Sequence, residues 1–319
     1  MNKAPEEVYD IVIIGGGPAG LAAGLYAARG GMNVLLVESM AIMGQLTMTE
    51  EVENYPGVEK VGGFELVTTL KKQAESFGLK CVQGTVKSVS SGKKEGVRIW
   101  KVEDQNGIHE AISLIVASGA RPKKLGVPGE EEFISKGVSY CATCDGAFFR
   151  EKDVVVVGGG DTAVEEALFL TRFGKKVTLI HRRERLRATK ILQDRALNNE
   201  KMGFVWESVV EGIEGGDKVE KVILKNVKTG ETSELPCEGV FVFVGWHPNT
   251  EFVEGTLELT EKGAIVVDSN MKTSQEGIFG AGDCTKKLLH QIVTACGDGA
   301  TAAFAAQHYV EELKGVAYK

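Results

Sequence analysis

The sequence predicts an α/β protein built from two three-layer domains of the same kind, with the second domain inserted into the first. Three observations predict this architecture. A segment with the pattern of strand, glycine turn, helix and strand occurs near the N-terminus and again in the middle of the chain. Three further β-rich runs follow each of these segments. The C-terminal tail carries only a short strand pattern and a helix pattern, which would complete the first copy.

The first copy begins with an apolar run over residues 10–14, which ends in the glycine turn 15–17. An Ala- and Leu-rich helical stretch covers residues 18–29, and a second apolar run, 34–37, ends at Glu38. This order of elements is the βαβ unit of a Rossmann-like, dinucleotide-binding domain.

The second copy repeats the order with a different ending. The apolar run 153–157 leads into the glycine turn 158–160, and a helical stretch covers residues 161–173. The second apolar run, 177–180, ends at His181. A repeated unit of this length predicts two related domains rather than one.

Each βαβ unit is followed by three β-rich runs that are joined by turn residues, which predicts a β-meander. These runs lie near residues 81–89, 96–102 and 108–117 in the first copy, and near 203–213, 218–226 and 232–244 in the second.

Two short segments with Gly and Pro, residues 119–122 and 245–248, flank the second copy and have the composition of linkers. We therefore expect a discontinuous domain of residues 1–118 and 247–319, and an inserted domain of residues 122–244.

The composition excludes several classes of protein. A net charge of −7 gives no basic patch for nucleic acid or an anionic membrane. No apolar run approaches the about 18 residues of a membrane span, and the N-terminus has no secretory signal pattern. Only two of the six cysteines, Cys141 and Cys144, are closely spaced, so we expect a cytoplasmic protein with one redox-active pair.

Both glycine turns match a dinucleotide-binding fingerprint, in which small residues allow a tight turn and the approach of a pyrophosphate to the helix N-terminus. The matching residues are Gly15, Gly17 and Gly20 in the first copy, and Gly158, Gly160 and Ala163 in the second. A single match is also compatible with a plain turn between strand and helix. Two matches, each between strands, favour two nucleotide sites.

The end of the second strand distinguishes the two sites. Glu38 stands 23 positions after Gly15, where a carboxylate can accept hydrogen bonds from ribose hydroxyls. The same offset from Gly158 gives His181, and three arginines follow it: Arg182, Arg183 and Arg187. Guanidinium groups suit the 2′-phosphate of NADPH, although a solvated basic segment paired with Glu184 is the alternative. The inserted domain is therefore predicted to bind NADPH and the first domain to bind FAD, because a hydride needs an acceptor.

The closely spaced cysteines, Cys141 and Cys144, are followed by Asp145. Cysteines at this spacing can form a disulfide, and near two nucleotide sites a redox-active pair is favoured. A structural disulfide, a zinc half-site and inert thiols are the alternatives, but the sequence supplies no second pair of zinc ligands. Asp145 is either a proton donor or a helix-capping residue.

These motifs resemble those of the bacterial-type, low-molecular-weight thioredoxin reductase family along nearly the whole chain. The matching stretches are GGGPAG (15–20), GQLTMTEEVENYPG (44–57), CATCDGAFF (141–149), GGGDTAVEEA (158–167), HRRERLRA (181–188) and GIFGAGDC (277–284). The resemblance implies a homodimeric flavoprotein. It also implies that FAD contacts Gln45, Leu46, Asn54, Asp283, Gln291 and Ile292.

The resemblance further implies that Cys144 faces the flavin, Cys141 attacks thioredoxin and Asp145 manages the proton. Four residues depart from the family pattern: Met43, Cys284, His290 and Cys296. We interpret both cysteines as small buried hydrophobic residues.

The order of the motifs predicts a mechanism. The NADPH site and the cysteine pair share one domain, yet both must reach a flavin held by the other, so the inserted domain is expected to rotate on its linkers. The resemblance implies that the partner is thioredoxin or a similar small dithiol protein, and the sequence itself does not distinguish between such carriers. The alternative enzymes are a flavin dithiol oxidase and a ferredoxin-linked thioredoxin reductase, which would not need the arginines. The alternative outside catalysis is a flavin redox sensor, which would not reduce an excess of thioredoxin.

Overall fold

The structure is a computed structural model that describes residues 8–39, 45–48, 52–94 and 96–317. The chain divides into two compact units. The discontinuous unit comprises Met1–Arg121 and His247–Lys319, and the inserted unit comprises Pro122–Trp246. Across the ranges given above, no helix is both long and apolar enough to cross a membrane.

Before the insertion, the described residues of the discontinuous unit form these strands and helices: β1 (Val8–Ile14), α1 (Pro18–Arg29), β2 (Val34–Glu38), α2 (Gly63–Ser76), β3 (Lys80–Gln83), β4 (Ser88–Lys94), β5 (Val97–Glu103) and β6 (Ile108–Val116). Strand β7 (Ala120–Pro122) lies in the first linker.

The elements of the inserted unit are β8 (Val138–Ser139), α3 (Ala142–Asp145), β9 (Asp153–Gly158), α4 (Asp161–Leu170), β10 (Lys176–Ile180), α5 (Lys190–Leu197), β11 (Met202–Val205), β12 (Ser208–Gly215), β13 (Val219–Asn226), β14 (Thr232–Pro236) and β15 (Gly239–Phe243). Strand β16 (Trp246–Pro248) forms the second linker and pairs with β7. The tail then adds β17 (Ile278–Gly280) and α6 (Ile292–Lys314) to the discontinuous unit.

The discontinuous unit has a parallel sheet in the order β3-β2-β1-β6, which β17 extends by pairing with β6. Strand β6 also continues the antiparallel meander β4-β5-β6 through its first half. Alternate residues of β1 point to opposite faces. Ile11 and Ile13 pack in the core beneath α1 and α6, whereas Val12 and Ile14 pack in the core that includes Trp100 of the meander.

The inserted unit repeats this arrangement. Its sheet has the order β11-β10-β9-β15-β8 and all pairs are parallel, while β12, β13 and β14 form an antiparallel meander. Val154 and Val156 of β9 pack with α4 and α5, and Val155 and Val157 pack with the meander. The predicted fold class, two three-layer Rossmann-like units with a β-meander each, is confirmed.

Three of the six β-rich runs are divided in the structure. The run 81–89 belongs to β3 and β4, 203–213 belongs to β11 and β12, and 232–244 belongs to β14 and β15. In the last two runs the chain leaves one sheet and joins another, whereas β3 and β4 are the opposite edges of one sheet. Periodicity alone does not reveal these breaks. Strand β6 joins the parallel part of its sheet to the antiparallel meander without interruption.

Candidate active site

The glycine turn of the discontinuous unit is shaped by close backbone packing. A Cβ atom at Gly15, whose φ is +108°, would lie 2.3 Å from the carbonyl oxygen of Ala117. A Cβ atom at Gly20 would lie 1.8 Å from the carbonyl oxygen of Gly15. The Cβ position of Gly17 is open, and Gly17 precedes α1 without a capping side chain. The turn therefore leaves the start of α1 accessible to a phosphate group.

Glu38 lies directly over this turn. Strands β1 and β2 are parallel neighbours with Ile14 opposite Val37, so the end of β2 lies beside the end of β1. The Glu38 side chain is buried and accepts a hydrogen bond from the Gly16 amide, and Ser39 Oγ donates to Glu38 Oε1 at 3.1 Å. The carboxylate predicted to bind a ribose is thus fixed at the glycine turn.

Two other predicted flavin contacts meet although 237 positions separate them. Asn54 Nδ2 donates a hydrogen bond to Gln291 Oε1 at 3.1 Å. Gln291 is the N-cap of α6 and forms a capping box with Thr294, which fixes its backbone. The segment around Asn54 and the C-terminal tail therefore contribute side chains to one location.

Asp283 lies in a short 3₁₀ turn, Gly282–Cys284, in the segment between β17 and α6. Its Oδ1 atom is buried and accepts no hydrogen bond from the described residues, with His290 Nδ1 at 3.4 Å. A buried carboxylate oxygen without a donor is costly. This oxygen fits a cofactor hydroxyl, such as those of the ribityl chain.

The structure shows fewer specific contacts for the remaining residues that are predicted to bind the flavin. Gln45 and Leu46 open a 3₁₀ turn, Gln45–Met48, and Leu46 packs against the core beneath α1. Ile292 is the first residue of α6. Met43 lies outside the described residues. The cofactor-binding role of all these residues stays a prediction.

The glycine turn of the inserted unit has a similar shape. A Cβ atom at Gly158 would lie 2.5 Å from both the Ala163 Cβ and the Phe243 carbonyl oxygen. The Cβ position of Gly160 has only Arg187 Nη2 nearby, at 3.8 Å. A small cavity of about 160 Å³ opens here, and its lining includes Arg187 and Trp246.

His181 packs against this turn rather than pointing into solvent. A Cβ atom at Gly159 would lie 2.3 Å from His181 Nδ1, and His181 is only 5% exposed. Burial lowers the pKa of His181, and the nearby arginines lower it further. The imidazole is therefore neutral at pH 7 and supplies packing rather than charge.

The charge at this site comes from the segment after His181. The Arg187 amide donates to the Gly159 carbonyl oxygen at 2.7 Å, which bends the segment back onto the glycine turn. Arg182, Arg183 and Arg187 are exposed, and none forms an ion pair within the described ranges. Glu184 lies 3.8 Å from Lys228 instead, so the alternative in which Glu184 neutralises the arginines is wrong.

Cys141 and Cys144 form a disulfide with a Cα–Cα distance of 5.4 Å. Cys141 is the N-cap of the short helix α3, where its Sγ accepts a hydrogen bond from the Cys144 amide at 3.2 Å. Cys144 is exposed and Cys141 is half-buried. Among the described residues no cluster of three or more His, Cys, Asp or Glu side chains could hold a metal.

Asp145 has a specific partner. Ser139 Oγ, from β8, donates to Asp145 Oδ2 at 2.6 Å. The carboxylate does not cap the 3₁₀ turn Gly146–Phe149 that follows it. Of the two roles expected for Asp145, helix capping is therefore not observed.

The structure also brings Glu166 to this location, which sequence reasoning missed. Glu166 Oε2 accepts a hydrogen bond from the Ala142 amide at 3.1 Å. Burial raises the pKa of Glu166 to about 7. Glu166 lies within the GGGDTAVEEA stretch, but its spacing from the cysteines gives no signal of this contact.

The two cysteines that depart from the family pattern differ in burial. Cys284 is fully buried, and its thiol donates to the carbonyl oxygens of Val116 and Ala281 at 3.4 and 3.3 Å. Cys296 is half-buried and contacts the phenol of Tyr55, whose pKa is raised to about 12 mainly by burial. Cys284 thus matches a buried hydrophobic residue more closely than Cys296 does.

Comparisons with known proteins agree with this arrangement. The model of the pyridine nucleotide-disulphide oxidoreductase family matches residues 9–299. The thioredoxin reductase of Peptoclostridium litorale is 50% identical over 97% of this chain and 99% of its own. That of Bacillus subtilis strain 168 is 48% identical over 97% of both chains.

A solved structure is similar as well. The thioredoxin reductase of Lactococcus lactis, in its FR conformation, superimposes with a TM-score of 0.92 and 46% identity over 95% of this chain and 99% of its own. The chain therefore belongs to the pyridine nucleotide-disulphide oxidoreductase family, among the bacterial-type thioredoxin reductases.

Proposed function

We propose that this chain uses NADPH and FAD to reduce the disulfide of thioredoxin or of a similar small dithiol protein. The observation that carries the proposal is that the Cys141–Cys144 disulfide lies in the same unit as a glycine turn flanked by unpaired arginines. A redox pair beside a site for a phosphorylated nicotinamide cofactor is what such a reductase requires.

NADPH would bind to the inserted unit. Its pyrophosphate would approach the turn at Gly158 and Gly160, where the start of α4 offers free amides. Arg182, Arg183 and Arg187 would hold the 2′-phosphate, and the neutral His181 ring would support the turn from below.

FAD would bind to the discontinuous unit. Glu38 would accept hydrogen bonds from the adenosine ribose, and Asp283 would accept one from the ribityl chain. The Asn54–Gln291 pair would position the ring system. When bound, FAD would carry two electrons between the nicotinamide and the disulfide.

The cysteine pair would pass these electrons to the partner by thiol–disulfide exchange. In the resemblance-based assignment, the Cys141 thiolate attacks the disulfide of thioredoxin and forms a mixed disulfide. Cys144 then attacks Cys141, which restores the intramolecular disulfide and releases reduced thioredoxin. The Cys144 amide would stabilise a thiolate at Cys141, and Asp145 would exchange the proton with the departing thiol.

The two linkers supply a hinge for the proposed rotation of the inserted unit. Gly119 and Gly245, at the start of the linkers, have φ values of +67° and +122°, which glycine adopts without strain. The paired strands β7 and β16 would turn together, so the unit would move as one body.

We also propose that the chain acts as a homodimer in the cytoplasm, as the family resemblance implies. The cysteine usage supports a reducing compartment, because four of the six cysteines are free thiols.

Serine substitutions at the redox pair test the proposal. Cys141→Ser and Cys144→Ser should each abolish thioredoxin reduction but leave the bleaching of flavin absorbance by NADPH intact, because hydride transfer uses neither sulfur. Cys81→Ser, which replaces a half-buried free cysteine, is the matched control and should retain both activities.

The outcomes separate the rival functions. Bleaching by reduced ferredoxin but not by NADPH would indicate a ferredoxin-linked enzyme. NADPH bleaching without turnover of excess thioredoxin in the unmodified protein would indicate a redox sensor. If a serine variant of the pair reduced thioredoxin at a near-normal rate, another cysteine such as Cys284 would be the mediator and the proposal would be overturned.

A further inference from the structure

The carboxylate of Glu166, on α4, lies at the start of the redox helix α3. Its Oε2 atom accepts a hydrogen bond from the Ala142 amide at 3.1 Å, and the Thr143 amide also donates to this carboxylate. These are the first two residues after Cys141. Glu166 is therefore the side chain that attaches the N-terminal end of α3 to the nucleotide-binding helix.

The amides of this short segment are divided between two acceptors. Those of Ala142 and Thr143 point to the Glu166 carboxylate, whereas that of Cys144 points to Cys141 Sγ. An oxygen acceptor and a sulfur acceptor thus share the donors that follow Cys141. The Glu166 carboxylate is hydrogen-bonded to the amide of the residue that follows Cys141, so any negative charge on Glu166 lies close to the sulfur that would become a thiolate.

The protonation of Glu166 is sensitive to pH in the neutral range. Burial raises its pKa to about 7, and the negative charge of Glu165 adds to this effect, while the two amides oppose it. The other charged groups on α4 and on the elements packed against it are Asp145, Asp153, Asp161, Lys176, Lys190, Asp194 and Arg195. Three of these carboxylates have partners of their own: Asp145 with Ser139, Asp161 with the Thr189 amide, and Asp194 with Lys190.

We propose that Glu166 is a positioning residue that fixes the redox helix through its backbone amides and sets the redox equilibrium of the Cys141–Cys144 pair by its charge. The importance of this role for turnover rests on the proposed reductase function. The effect on the redox equilibrium of the cysteine pair does not depend on that function.

The sign of the effect follows from the chemistry of the pair. Reduction breaks the S–S bond and adds two electrons and two protons, or one proton fewer when one sulfur remains a thiolate. A carboxylate next to Cys141 repels the thiolate and so stabilises the disulfide. Removing that charge should favour the dithiol.

The test compares Glu166→Gln with unmodified protein, using the full-length, flavin-loaded enzyme. Each is equilibrated with mixtures of reduced and oxidised dithiothreitol, and the dithiol fraction of the Cys141–Cys144 peptide is measured by alkylation and mass spectrometry. At pH 8 the equilibrium constant for reduction of the Cys141–Cys144 disulfide should be about tenfold larger in the variant, which corresponds to a difference of about 30 mV in reduction potential.

The matched control is Glu165→Gln, which removes the same charge from the neighbouring exposed position and leaves the amide contacts in place. We expect little change in its equilibrium constant at pH 8. Loss of the Glu165 charge should only lower the pKa of Glu166, so that the inflection in the plot of equilibrium constant against pH moves to a lower pH.

The pH dependence distinguishes charge from structure. Below about pH 6 Glu166 is protonated and neutral, so unmodified protein and Glu166→Gln should converge; above pH 8 they should differ by the full tenfold. A difference that is the same at all pH values, or no difference at pH 8, would overturn the proposal.

A further variant keeps the test decisive if Glu166→Gln does not fold. Glu166→Asp retains the charge but shortens the side chain, and it should keep an inflection in the equilibrium constant between pH 6 and 8. Absence of that inflection would contradict the proposal. Because no step uses NADPH or thioredoxin, a failure of the proposed reductase function would leave this result unaffected.

Discussion

The two glycine turns of this chain have a similar shape but different surroundings. In both, the first glycine is required by backbone packing, since a Cβ atom at Gly15 or Gly158 would meet a carbonyl oxygen at 2.3 or 2.5 Å. In both, the Cβ position of the second glycine faces open space or a flexible side chain, at Gly17 and Gly160. This shape suits a phosphate group in both units, so we infer that residues outside the turn determine which nucleotide each unit would bind.

The difference between the units lies after the second strand. In the discontinuous unit the residue at the strand end, Glu38, is itself directed at the turn and bonded to it. In the inserted unit the equivalent residue, His181, is buried and neutral, and the charge lies on the following exposed arginines. In the proposed assignment the strand end therefore has different roles in the two copies: Glu38 would bind a ribose, whereas His181 supports the turn.

The largest effect, on stability and FAD content, is expected at the third small residue of the turns, which is Gly20 in one unit and Ala163 in the other. Gly20→Ala would place a Cβ atom 1.8 Å from the Gly15 carbonyl oxygen, so the turn and α1 must separate. Overpacking of this kind costs about 1–3 kcal/mol or more, and FAD content should fall. The measurement is thermal unfolding together with flavin absorbance of the purified protein.

The reciprocal substitution, Ala163→Gly, is the matched control. It should cost only about 1 kcal/mol, because it removes a methyl group and introduces a flexible residue into a helix. Equal losses from Gly20→Ala and Ala163→Gly would show that the two turns do not differ at this position.

A smaller effect is expected at the strand end. Glu38→Gln removes the charge but keeps an oxygen acceptor, and a hydrogen bond to a charged group contributes about 1.5–3 kcal/mol. FAD affinity, measured by reconstitution of flavin-free protein, should fall about tenfold. NADPH affinity should stay unchanged, and a parallel loss of both would contradict the assignment of Glu38 to one site only.

Much of this fold could be predicted from the sequence because the repeated strand–turn–helix pattern is local. Helix α1 begins at Pro18 and ends at Arg29, as the pattern predicts. The breaks between β11 and β12 and between β14 and β15 could not be predicted, because they depend on which sheet accepts the strand. That choice is made by tertiary contacts rather than by residue type.

The site shows the same division between local and remote information. The glycine turns, the arginines and the cysteine pair lie in short continuous motifs. The Asn54–Gln291 bond, the Ser139–Asp145 bond and the contact between Glu166 and α3 join residues from separate elements. No spacing rule connects such residues, so only the folded chain reveals these pairs.

The most direct test of the central claim, that the inserted unit is specialised for NADPH, is the cofactor preference of the double variant Arg182→Ala/Arg183→Ala. The kcat/KM of thioredoxin reduction is measured with NADPH and with NADH, and Arg185→Ala serves as a control for loss of charge from the same exposed segment. The double variant should lose at least about tenfold with NADPH and less than about twofold with NADH, because only NADPH carries the 2′-phosphate. Equal losses with both cofactors would contradict the account.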